Sequence, residues 1–132
     1  MTTTDTQRAE SQARAQLAGI KDLVETLREA QGRDDDSLIE DARQAILEDA
    51  LSVEVRSGWY SPGEILGPEE YQILLCTGGP AVRIIGDLGG YQEPETAGLE
   101  YQDWCTPWTT YRLTTGEEQA VLDYARVFYF GS

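Results

Sequence analysis

Apolar side chains recur along residues 7–31 at Ala13, Leu17, Ile20, Val24 and Leu27. Steps of four, three, four and three are the a/d rhythm of a helix packed along a seam. The stretch holds no proline, and Gly19 is its one weak point as a helix. A seam this short suits an intramolecular helix pair, with a homodimer through the first helix as the alternative. Asp34, Asp35, Asp36 and Ser37 then open a second helix. Negative charge complements the N-terminal end of a helix dipole, and Ser37 with Glu40 has the spacing of a capping box. Leu38, Ile39, Ala42, Ala45 and Ile46 give this helix an apolar face that runs to about Asp49. Gly32 marks the connection, so residues 1–50 are expected to form a helical hairpin.

The period then falls from that of a helix to two. Leu51, Val53 and Val55 alternate with Ser52, Glu54 and Arg56, the pattern of a half-buried strand. A loop rich in Gly and Pro occupies residues 58–68. Residues 71–77 and 81–85 are strong strands joined by Gly78, Gly79 and Pro80, which predicts a β-hairpin. Residues 86–95 form another turn region. Residues 97–104 alternate again as a fourth strand, which a continuation past Pro107 to Tyr111 would lengthen. Thr115 and Glu118 then have capping-box spacing ahead of a helix that carries Val121, Leu122, Ala125, Phe128 and Tyr129. The expected fold is α+β: an N-terminal helical hairpin, an antiparallel sheet of about four strands and a C-terminal helix, all in one domain of residues 1–132.

Charge adds a second layer. The chain has 24 Asp and Glu against 10 Lys and Arg, a net charge of −14 with a pI of about 4.1. Residues 1–33 hold five acids and five bases, so the whole imbalance falls on residues 34–132, with 19 acids and five bases. A chain of this sign is repelled by phosphate backbones and by anionic lipid, which argues against direct nucleic-acid or membrane binding. A basic partner, or no charged partner at all, is compatible with it. No apolar run is long enough for a bilayer, and the N-terminus lacks the basic and apolar regions of a signal peptide. A cytoplasmic location is the expectation. Cys76 and Cys105 have no metal-ligand spacing and read as reduced packing residues.

Candidate chemistry is thin. The sequence contains no His, so a Ser-His-Asp or Cys-His arrangement is excluded. Residues 77–80 have the glycines of a phosphate loop without its Lys and Ser/Thr, and strands flank them on both sides. Asp34, Asp35, Asp36, Glu40 and Asp41 lack the ligand alternation of a calcium loop, and helix capping accounts for them equally well. No enzyme, cofactor or metal is expected. Trp59, Tyr60, Trp104 and Trp108 lie beside turns, where aromatics serve as contact residues.

The segments LSVEVRSGW (51–59), YQILLCTGGPAVRII (71–85) and LEYQDWCTPW (99–108) resemble a family of small acidic proteins encoded by proteobacterial phages, prophages and plasmids. The resemblance covers roughly residues 40–130 and brings no catalytic residues with it. It implies a mobile-element setting, where small acidic proteins act as inhibitors of host defence, including anti-CRISPR and anti-restriction proteins, some of which resemble DNA in charge. The expected function is therefore inhibition of a basic, nucleic-acid-binding defence protein. Acidic DNA mimicry is the expected mode of that inhibition; the alternative function is a non-catalytic regulatory or assembly module that recognises a protein partner by shape and aromatic contacts. Expected partner-binding residues are Asp34, Asp35, Asp36, Glu40, Asp41, Glu48 and Asp49 on the second helix. Glu93, Glu95, Glu100, Asp103, Trp104 and Trp108 complete the set around the fourth strand.

Overall fold

The a/d seam folds as a helix and continues at both ends. In the computed structural model, which describes residues 5–64, 67–103 and 106–131, α1 spans Asp5–Gly32. Ala13, Leu17, Ile20, Val24 and Leu27 are all buried, and Ala9 and Ala30 extend the row. The chain's own elements do the burying: α1 packs against α2 (Asp36–Asp49), α3 (Thr115–Ala125), β3 (Ala81–Asp87) and β4 (Gly98–Gln102). The seam thus serves the intramolecular packing. A dimer through the first helix would have to use that helix's exposed side.

The turn between α1 and α2 is built differently from the sequence expectation. The helix runs through Gly32, and Asp34 takes the left-handed conformation with φ 53°. Asp34 N–H donates to Gln31 O at 3.1 Å and Asp35 N–H to Ala30 O at 3.5 Å, the bond pair of a Schellman C-cap. Asp35 then caps α2, its carboxylate accepting from the Ser37 and Leu38 N–H groups at 3.1 and 3.2 Å. The cap therefore sits two residues before the predicted Ser37. A carboxylate at Asp35 reaches the same orphan N–H groups and adds charge favourable to the dipole.

Five strands form one antiparallel meander in the order β1 (Ser52–Arg56), β2 (Glu70–Cys76), β3, β4 and β5 (Thr109–Tyr111). The predicted hairpin at residues 77–80 joins β2 to β3, with Gly78 at φ 115° supplying the conformation that side chains resist. The fifth strand corrects the expected count of about four. β4 does not run on to Tyr111. Thr106 N–H donates to Asp103 O at 3.1 Å, and β5 runs antiparallel to β4 with Tyr111 paired to Leu99. Gly86 in β3 marks a close approach: a Cβ there would meet Thr96 O and lie 2.7 Å from the Tyr71 ring.

Helices cover one face of the sheet. One hydrophobic cluster joins all three helices to β2, β3 and β4, with Ile20, Ile46, Ile73, Ile84, Leu99, Val121 and Tyr124 wholly buried. Each such aliphatic side chain contributes about 1.5–3 kcal/mol by leaving water. α3 begins one residue earlier than its predicted box, because Thr114 and Glu117 form the reciprocal cap. It ends at Ala125, after which Phe130 packs on the Tyr71 ring at 4.9 Å. Tyr129, placed by sequence on or near the apolar face, is exposed.

Candidate partner-binding surface

The predicted acidic residues fall into three places. Asp34 and Asp35 belong to the α1–α2 turn, where each has the structural role described above. Asp36, Glu40, Asp41 and Glu48 are exposed on α2, and Glu48 accepts a bond from Gln44 at 3.0 Å. Asp49 is exposed as well, but its carboxylate accepts from the buried Tyr124 hydroxyl at 2.7 Å. Burial first, and then this carboxylate, push the Tyr124 hydroxyl well above its ordinary range.

Glu93 and Glu95 are exposed in the segment linking β3 to β4. Glu93 O accepts from Gly89 N–H at 2.8 Å, and the Glu95 side chain folds against Gly89. Asp103 is buried at the end of β4, with Arg8 Nε 3.8 Å away. Trp104 lies outside the described residues, as does Cys105. The structure therefore gathers the acidic residues of α2 on one element and keeps Glu93, Glu95, Glu100 and Asp103 apart from them on others.

Glu100 and Trp108 meet on the sheet face opposite the helices. The Arg83 guanidinium donates to Glu100 Oε1 at 2.6 and 2.9 Å and to Gln72 Oε1 at 2.6 Å, while Gln72 donates to Glu54 at 3.4 Å. Trp108 lies over Arg83, 4.1 Å from guanidinium carbon to ring centre. This ladder crosses four strands. Beside it runs a groove of about 490 Å³ floored by Ile85 and Gly98. Both cations in its lining are already held by carboxylates, Arg83 by Glu100 and Arg56 by Glu70. Among the described residues the groove thus offers no free positive charge to an anionic ligand.

Several exposed apolar side chains lie at the sheet edge and in the loop after it, while Tyr91 and Tyr129 are exposed elsewhere. β1 pairs with β2 on one side only. Val53 is opposite Ile73 and Val55 opposite Tyr71, so both valines point to the helix-covered face. The helices lie over β3 and β4, and the cover does not extend to this edge. Val53 is 36% exposed, Val55 43% and Leu51 58%. Trp59 and Tyr60 follow in the next loop, Trp59 fully exposed. The alternation in β1 was legible in sequence as a half-buried strand. Its position at the sheet edge was not, because strand order depends on pairings far apart in the chain. Leu47 on α2 is also exposed. The stretch is acidic in sequence: residues 48–70 contain six Asp and Glu and a single base, Arg56.

The remaining polar groups act locally. Burial pushes the Cys76 thiol up, away from the reactive thiolate. Burial does the same to the Tyr71 hydroxyl, which donates to Thr96 O at 2.6 Å. Among the described residues no three Cys, Asp or Glu side chains gather in a way that could hold a metal ion. No helix among them is long and apolar enough to cross a membrane. Searches against protein-family models, curated proteins and solved structures find no match to this chain.

Proposed function

We propose that this is a non-catalytic binding protein whose partner is a basic, nucleic-acid-binding protein, engaged across the β1 edge and the loop that follows it. One observation carries the reading: Leu51, Val53, Val55, Trp59 and Tyr60 stay exposed together within a segment dense in carboxylates. Interfaces draw their affinity from aromatic and aliphatic anchors shielded from water, while a charged rim speeds encounter and selects the partner's sign. An occupied basic surface is closed to nucleic acid, so binding here inhibits. The resemblance to acidic proteins of mobile elements supports an anti-defence role of this kind.

Capture from a bacterial lysate tests the proposal, using the wild-type chain and a Trp59→Ala, Tyr60→Ala variant at low and high salt. Basic proteins held by the wild type at low salt, weakened by salt and lost with the variant are the expected result. Identical capture by both chains would refute it.

A second reading, phosphate mimicry by α2, is supported by Asp36, Glu40 and Asp41, which remain exposed on one rigid helix. Charge reversal at these three positions distinguishes the two. Loss of capture in that variant alone moves the site to α2.

A further inference from the structure

We propose that β1 binds its partner by strand addition, accepting an extended basic segment along its open side. The inference rests on the reading of a basic protein partner and specifies how that partner docks. Among the described residues no strand lies beyond β1, so alternate residues direct their backbone N–H and C=O groups away from β2. Such a row is a template for another strand. Sheets protect edges with proline, lysine or very short strands. The opposite edge is treated in this way, since β5 has three residues and Pro107 stands just before it. β1 has five residues, SVEVR, with neither proline nor lysine.

Side chains define what the strand accepts. On the inner side, Val53 and Val55 are exposed next to Ile73 and Tyr71, leaving apolar positions for alternate residues of an added strand. Charge defines the rest. Glu54 on the strand and Glu64 and Glu69 in the following loop are exposed carboxylates, and the one base of residues 48–70, Arg56, is bound to Glu70. A strand alternating apolar and basic residues satisfies both requirements. A second copy of this chain does not: a two-fold pairing centred on β1 sets Glu54 against its own copy, and like charges directly opposite destabilise a strand pair.

The probe is a short peptide alternating valine and arginine, titrated into the full chain. Two further peptides carry backbone N-methyl groups on the valines or on the arginines. In an added strand only one of these sets faces β1, so one methylated peptide should bind at least about tenfold more weakly than the other. Amide shifts on binding should fall within residues 51–60 and leave residues 109–111 unmoved. Val53→Thr with Val55→Thr, at exposed positions and with branching retained, should weaken the parent peptide several-fold. Equal binding by the two methylated peptides, shifts centred elsewhere, or no binding of the parent peptide would overturn strand addition. A basic partner captured through Trp59 and Tyr60 would survive each of those results, so the two proposals fail separately.

Discussion

Tyr124 shows how a single residue ties distant parts of the chain together. Its ring is wholly buried in the core, and its hydroxyl donates to Asp49 at the end of α2. Tyr124→Phe removes the donor and leaves the Asp49 carboxylate to solvent at a position already exposed. The expected loss is about 1–3 kcal/mol, measured by denaturant unfolding at neutral pH. Its pH dependence has a definite sign. The hydroxyl is raised above its ordinary value in the folded chain, so the folded state holds this proton more tightly than the unfolded state. The stabilisation is complete below the ordinary tyrosine range and is lost as pH rises beyond it. Wild type and variant should therefore converge in alkali. Asp49 illustrates the limit of reading charge from sequence: its place on the helix was legible, but its hydrogen bond depends on a residue 75 positions away.

At the scale of elements, caps decide where helices begin. Thr114 accepts from the Glu117 N–H at 3.2 Å, and Glu117 accepts from the Thr114 N–H at 3.0 Å. That backbone bond first, with Lys21 3.7 Å away as a lesser influence, holds the Glu117 carboxyl below its ordinary range. A depressed carboxylate stabilises the fold above its ordinary pKa and loses that contribution as pH falls through the folded value. Glu117→Gln retains an acceptor and removes the charge. It should cost a few tenths to about 1 kcal/mol at neutral pH, with the difference fading in acid. Thermal melts across the acid range measure this. Both predicted boxes were displaced in sequence, by one residue at α3 and by two at α2. Neighbouring Thr114 and Thr115, or Asp35 and Ser37, all have capping side chains, and the choice falls to the one whose backbone is extended where the preceding chain arrives.

For the whole molecule, stability and recognition draw on different residues. The core joins three helices to the sheet, while Trp59 and Tyr60 stand outside it. Trp59→Ala with Tyr60→Ala should leave the unfolding free energy within about 0.5 kcal/mol of wild type, because exposed side chains remote from caps and core contribute little. Circular dichroism melts of both chains check this. A large loss of stability would show that the pair supports the fold. A net charge of −14 on a chain with so few bases also predicts that salt raises the melting temperature, by screening repulsion among surface carboxylates.

Local patterns determined a good deal of this molecule. The steps of the seam set α1 and its buried row, the change of period set the helix-to-sheet boundary, and the glycines at residues 77–80 set the β2–β3 hairpin. Composition set the net charge of −14, and the absence of histidine leaves no imidazole in this sequence. Each of these depends on neighbours in sequence or on totals. Tertiary structure decided the rest: that β4 ends at Gln102 and β5 pairs back, that Asp49 and Glu100 are engaged within the chain, and that β1 is an edge strand. Those outcomes follow from which strands and helices meet, and the free energy of such meetings belongs to pairs of residues far apart in the chain. Val53 and Val55 have the alternation of buried residues. They lie exposed because the helices cover the middle of the sheet and leave its first strand bare.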